Sequence, residues 1–217
     1  MVTEKEKHAH TKIRIAVSGA AETNHCGENT LDLADEIGRE IVRQDAIVVT
    51  GATTGFPFWA AKGAKEEGGV SVGLSPAASE REHVEFYKLP LDYMDLIIYT
   101  GFGFSGRDIL MTRSADAVIL GCGRIGTIHE FTVAFEDHKP IGILEGSGET
   151  SDVIKHILDA SHRSDDNKDI VFDSDPKRLV ARVIERVKKN KIEYFKIYNN
   201  GDGFNKMCEG GTCQVAL

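Results

Sequence analysis

The sequence predicts a single α/β domain: a doubly wound, mostly parallel sheet with helices packed on its faces. Three observations lead there. Short β-branched runs alternate with segments of helical periodicity, the pattern of strand–helix–strand units. Glycine-rich turns follow several of those runs, and glycine contributes 22 of the 217 residues, above the usual ~7%. No internal repeat and no long linker divides the chain, whose length suits one large domain at roughly 150 residues per domain.

Residues 1–12 form a charged lead-in, expected to be disordered, without the apolar stretch of a signal peptide. The first strand is Ile13–Val17, ending at Ser18-Gly19. A helix follows from about Asn29 to Arg43, with Leu33, Ala34, Ile37, Ile41 and Val42 at helical spacing. Ala46–Thr50 is a continuous apolar run of the kind buried on both faces of a parallel sheet. Gly51-Ala52-Thr53-Thr54-Gly55 turns into a helix bearing Trp59, Ala60, Ala61 and Ala64, closed near Gly68-Gly69.

Strands Val70–Leu74 and Leu96–Tyr99 flank an irregular stretch broken by Pro76 and Pro90. Ala117–Leu120, Pro140–Leu144 and Ile170–Phe172 complete seven strands. The last helix has Asp175 as its cap, Pro176 at its first position and an apolar stripe of Leu179, Val180, Val183, Ile184 and Val187. The domain therefore spans 13–198, and 199–217 reads as a tail or an arm laid on another subunit. Such a sheet with its crossover helices is Rossmann-like.

Composition narrows the function classes. With 41% hydrophobic residues the chain can bury a core, and 26 basic against 34 acidic residues leave a net charge of −8. That balance disfavours broad attraction to nucleic acid or anionic membrane. No apolar run approaches the ~20 residues a membrane-spanning helix needs, so a cytoplasmic protein is expected. Cys26, Cys122, Cys208 and Cys213 are too few and too scattered for a disulfide scaffold. Cys208 and Cys213 lack the second pair of a zinc site, so no metal is expected. His25-Cys26 could line a pocket or be plain loop.

In a doubly wound sheet, ligands bind at the carboxyl ends of the strands. Three loops lie there: Ser18–Asn29, Gly51–Gly55 and Gly121–Thr127. None ends in Gly-Lys-Ser/Thr, which argues against a P-loop enzyme. Gly121-Cys122-Gly123-Arg124-Ile125-Gly126-Thr127-Ile128-His129-Glu130 joins a buried strand to a helix. Gly123, Gly126 and Thr127 there could cradle a phosphate on free helix amides.

Thr127-x-x-Glu130 also reads as a capping box, which would give Glu130 a purely structural task. In the preceding helix Ser105 and Asp108 resemble another capping pair, placing Arg107 in the first turn. A cation at a helix N-terminus is mildly unfavourable unless an anion sits beside it; a ligand phosphate or Glu130 would serve.

The span Arg107–Leu144, with its Arg, Ala-Asp-Ala, strand, Gly-x-x-Gly-Thr-x-x-Glu and Lys-Pro in order, resembles the Lonely Guy (LOG) family, once called lysine decarboxylase-like. Gly51–Gly55 followed by Ala60-Ala61 is similar to that family's earlier glycine-rich loop. The resemblance extends over roughly residues 13–190. It implies hydrolysis of the N-glycosidic bond of a nucleoside 5′-monophosphate such as AMP to free base and ribose 5-phosphate, with no cofactor.

By position, Arg107 and Glu130 match the family's catalytic pair, and Gly123, Gly126 and Thr127 its phosphate loop. A carboxylate there could stabilise an oxocarbenium-like sugar and activate water. Gly51, Thr53, Thr54 and Gly55 would form the second loop, and Ser18 and Gly19 would border ribose or base. The resemblance further implies a homodimer, with helix Arg107–Ser114 and the Glu130 helix near the two-fold. Two departures stand out. Cys122-Gly123-Arg124 replaces Pro-Gly-Gly, and Gly51-Ala52-Thr53 replaces three glycines. Arg124 either adds a phosphate contact or fills the pocket. The alternative is a non-catalytic nucleotide-binding or sensing protein of the same fold. Pyridoxal phosphate chemistry has no support, because Lys62 and Lys65 sit on the polar face of a helix.

Overall fold

The computed structural model describes residues 11–163 and 168–199; His8, His10, Cys208, Cys213 and most of the expected lead-in and tail lie outside them. Seven strands form one sheet: β1 (Arg14–Ser18), β2 (Ile47–Thr50), β3 (Ser71–Ser75), β4 (Leu96–Tyr99), β5 (Ala117–Leu120), β6 (Ile141–Leu144) and β7 (Ile170–Asp173). Their order is β4-β3-β2-β1-β5-β6-β7, and all six pairings are parallel. The expected doubly wound, Rossmann-like sheet is therefore present, and wholly parallel.

Six helices cover it: α1 (Thr30–Arg43), α2 (Phe56–Glu66), α3 (Gly103–Ser114), α4 (Ile125–Glu136), α5 (Thr150–Ser161) and α6 (Pro176–Asn199). The two-residue period of a strand decides which side chain meets which layer. Ile15, Val17, Val48, Ala117 and Ile119 pack with Ile37, Ile41, Ala60, Val180 and Val183 from α1, α2 and α6. Ala16, Val49, Val118 and Leu120 point the other way, toward Met111, Phe131, Ala134 and Ile154 of α3, α4 and α5. Both faces are buried, which is why the strands read as continuous apolar runs rather than alternating ones.

Local signals act as expected at several ends. Arg178 N–H donates to Asp175 Oδ1 at 2.8 Å, so Asp175 caps α6 with Pro176 in the first turn. After α2, Gly68 takes φ +79°, and Gly69 N–H reaches the Ala64 carbonyl at 2.8 Å, a Schellman-type stop. Between β3 and β4, Glu82–Phe86 forms a π-helical turn. It is anchored by buried His83, which contacts Ser75 Oγ at 2.8 Å and the Pro90 carbonyl at 2.9 Å.

Two expectations need correction. Helix α3 starts at Gly103 with Phe102 at its cap and no side-chain capping bond, so Ser105 and Asp108 do not cap it. Arg107 falls in the second turn. The sequence reading also names no helix between β6 and β7, where α5 buries Ile154 and Leu158. Its apolar stripe is short, and it follows a Gly-Ser-Gly turn that reads as loop. Among the described residues no helix is long and apolar enough to cross a membrane.

Helices α1 and α2 touch at their backbones. A Cβ on Gly38 would overlap the Ala60 carbonyl, and one on Gly63 would overlap the Asp35 carbonyl. This seam holds α2, and with it the β2–α2 loop, against the sheet. Gly38→Ala is expected to destabilise the fold by about 1–3 kcal/mol through overpacking. Thermal unfolding checks this, with Gly126→Ala as control, since a Cβ there meets nothing within 4 Å.

Candidate functional site

Strand order reverses between β1 and β5, because β1 leads outward through β2, β3 and β4 while β5 returns to its other side. A doubly wound sheet opens a crevice at that switch point. The loops leaving β1, β2 and β5 meet there and are tied by backbone bonds: Gly121 N–H to Ser18 O (3.0 Å), Ala20 N–H to Cys122 O (2.7 Å) and Phe56 N–H to Ala20 O (2.9 Å). The Phe56 ring lies between the loops. A Cβ on either Gly19 or Gly121 would strike it.

Helix α4 begins at Ile125, with Arg124 at its cap and no side-chain capping bond. Ile128 N–H donates to the Arg124 carbonyl at 3.2 Å, leaving the amides of Ile125, Gly126 and Thr127 without helical acceptors. The free amides thus start one residue before Gly126. Thr127 is inside the helix, so the Thr127–Glu130 capping box is not formed. Buried Glu130 instead accepts a hydrogen bond from Ser18 Oγ across the crevice. Gly123 N–H is taken by Thr150 Oγ1 at 2.7 Å, which removes that amide from any phosphate.

Arg107 is only 6% exposed. Its guanidinium lies against Gly51, where a Cβ would overlap Nη1. The first glycine of the β2–α2 loop thus makes room for the cation. Arg107 Nε lies 3.1 Å from Asp108 Oδ1 but is not aligned for a hydrogen bond, and the guanidinium makes no other hydrogen bond among the described residues. Phe104 stacks 5.8 Å from it. The second oxygen of Asp108 meets His129 Nδ1 at 3.1 Å. Burial, and next the charge of Asp108, raise the Glu130 pKa well above the usual carboxylate range, against the pull of Arg107 and the Ser18 hydrogen bond. The shift favours the neutral, protonated carboxyl.

These groups line a cavity of about 410 Å³. Ser18, Gly19, Gly51, Thr53, Arg107, Arg124, Gly126, Thr127 and Glu130 all face it. Gly123 faces a neighbouring cavity with His25, Ile125 and Thr150. Thr54 and Gly55 support the loops instead: Thr54 Oγ1 donates to the Ala21 carbonyl at 3.0 Å, and Gly55 caps α2. Asp108, which by spacing alone suggests a cap, lines the cavity too, as do Phe104 and Glu22, which belong to no motif in the sequence. The spacing of Asp108 beside Arg107 was the available signal. Trp59 packs on the core under Lys62 rather than near the cavity.

At the rim, Arg124 Nη1 pairs with Glu22 Oε2 at 3.0 Å, both side chains exposed. The guanidinium therefore bridges the entrance and does not fill the pocket. Behind it Cys26 and Cys122 form a disulfide between the β1–α1 and β5–α4 loops. The scattered cysteines make no scaffold, yet the fold brings this one pair together.

Over residues 12–180 the chain matches the SLOG cluster4 family. An uncharacterized protein of Archaeoglobus fulgidus is 31% identical over 133 residues, covering 61% of this chain and 80% of that one. The molybdenum cofactor carrier protein of Chlamydomonas reinhardtii superposes with a TM-score of 0.61 at 30% identity, over 82% of this chain and 98% of that one. The molybdenum cofactor binding protein of Rippkaea orientalis gives 0.62 at 26% identity, over 83% and 98%. The LOG resemblance thus holds at the level of a shared Rossmann-like family, and phosphoribohydrolase activity does not follow from it. The chain belongs to the SLOG cluster4 family.

Proposed function

We propose that this chain binds a small heterocyclic molecule ending in a phosphate monoester, of the nucleoside 5′-monophosphate or molybdopterin class, at the β1/β5 crevice. One observation carries the reading: the buried guanidinium of Arg107, whose Nε has no hydrogen-bond partner among the described residues, shares a cavity with Gly126 and Thr127 at the open start of α4. A dianionic phosphate would satisfy both. Phe104 and Pro57 supply apolar wall for a ring. The two relatives whose names state molybdenum cofactor binding or carriage support the same ligand class, because that cofactor is a pterin with a terminal phosphate. Titration calorimetry with AMP and with molybdenum cofactor tests the reading and separates the two sources. Arg107→Gln should weaken binding by about 10–100-fold, the loss of a charge-assisted contact. Gly51→Ala should do the same by displacing Arg107 while keeping its charge. Undiminished binding in both variants would contradict the proposal.

A second reading is favoured by Glu130 lying beside Arg107 in that cavity: hydrolysis of the N-glycosidic bond, with Glu130 as base and stabiliser of the sugar cation. Glu130 must ionise to act, so base release from AMP should rise with pH above neutrality. Glu130→Gln should abolish the release while AMP binding persists. If wild-type protein binds AMP without releasing base, the carrier or sensor reading stands alone.

Glu130 also predicts a stability signature. Its folded-state pKa lies above the unfolded value, so between the two the folded chain holds the extra proton. Stability therefore falls as pH rises through that window. Glu130→Gln cannot ionise and is expected to be more stable than wild type at pH 8. Near pH 4 the two should be similar, as chemical denaturation can show.

A homodimer fits the same reading. Leu96 and Ile98 on edge strand β4, with Phe102, Phe104, Ile109 and Leu110 on and before α3, are exposed and apolar, a patch suited to burial against a second copy. Light scattering after size exclusion should give about twice the 23.8 kDa chain mass.

A further inference from the structure

We propose that Cys26 and Cys122 form a reversible thiol–disulfide couple that locks the mouth of the phosphate cavity, reduction loosening the loop that carries Glu22. The ligand side of this inference rests on the binding reading above; the lock itself does not.

The geometry is specific. At its base the β1–α1 loop is bonded to its surroundings: Ala20 to Cys122 and Phe56, and Gly27 N–H to the Ser147 carbonyl at 2.9 Å. Thr30 Oγ1 also donates to that carbonyl, at 2.6 Å. The tip between those anchors, Ala21–Cys26, is held by three further ties. Thr54 Oγ1 bonds the Ala21 carbonyl, Glu22 pairs with Arg124, and the disulfide joins Cys26 to Cys122. The Glu22–Arg124 pair is exposed and contributes little by itself. The covalent bond is thus the strong restraint on a segment whose Ala21 and Glu22 line the cavity.

Access is asymmetric. Cys122 is 1% exposed, beneath the loop. Cys26 is partly exposed, with His25 Nε2 3.8 Å from its sulfur. A second cavity, of about 500 Å³ and lined by His25, Arg124, Ile125 and Val153, opens beside it. A dithiol reductant entering there would attack Cys26 Sγ through one thiolate. The S–S bond breaks, and the Cys122 sulfur leaves with the electron pair and takes a proton. The second thiol of the reductant then displaces Cys26 as a thiol and closes the reductant's own disulfide. Two electrons and two protons pass to the protein, and the reductant is oxidised by the same count. Closing the couple in reverse restores the mouth.

The test uses the full chain. Differential alkylation with peptide mass mapping counts free thiols at Cys26 and Cys122 before and after treatment with dithiothreitol. Hydrogen exchange then follows the loops 19–29 and 121–127 in both states, with Cys26→Ser as a permanently open form. The expected result is no labelling of either cysteine before reduction and full labelling after. Exchange in residues 21–26 should be about tenfold faster in the reduced protein and in Cys26→Ser, with AMP or molybdenum cofactor bound about tenfold more weakly, a coupling of ordinary size. Alkylation of both cysteines in untreated, air-handled protein would overturn the proposal. So would zinc held on the two thiolates and His25, whose ligand atoms lie within 4.8 Å of one another. Unchanged exchange on reduction overturns the lock whatever the ligand does. Faster exchange with no ligand bound in either state leaves the lock standing and removes the binding reading.

Discussion

A cation buried beside two carboxyl groups at the turning point of a parallel sheet sets the character of this crevice. Arg107 is withdrawn from solvent with Asp108 as its ion-pair partner. The pKa of Glu130, one helix away, is raised, because burial and the Asp108 charge both disfavour a second negative group. The result is a polar cluster with donors left over. Arg107 lines the same cavity as Gly126 and Thr127 at the start of α4, an arrangement that suits an anion.

The rest of the fold serves that placement. Parallel strands put the ends of β1, β2 and β5 side by side, so three loops distant in sequence share one opening. Gly51 contributes by the side chain it lacks, and the α1–α2 seam at Gly38 and Gly63 holds the helix that follows it. Ser18, the last residue of β1, bonds Glu130 and fixes α4 relative to the sheet. A catalytic site and a carrying site would need the same scaffold. What differs is the protonation of one carboxyl, and whether a bound phosphate changes it.

Much of this could be read from the chain. The seven strands followed from short β-branched runs, and Asp175-Pro176 announced α6 because capping chemistry is local. The crevice residues Ser18, Gly51, Arg107, Gly126, Thr127 and Glu130 were legible because loops after parallel strands have a known destination. Contacts made through space were harder. Thr127 and Glu130 fit a capping box by spacing alone, yet α4 starts at Ile125, and Glu130 finds Ser18 from another strand. Cys26 and Cys122 are 96 positions apart; only the adjacency of β1 and β5 makes them neighbours. Helix α5 escaped notice because its buried stripe is short and follows a turn rich in small residues.

The most direct measurement is a crystal structure of the protein soaked with a nucleoside 5′-monophosphate. The account predicts phosphate oxygens on the amides of Ile125, Gly126 and Thr127 and on the Arg107 guanidinium, with the heterocycle toward Phe104. A well-ordered nucleotide bound away from α4, or one whose phosphate leaves Arg107 untouched, would contradict it.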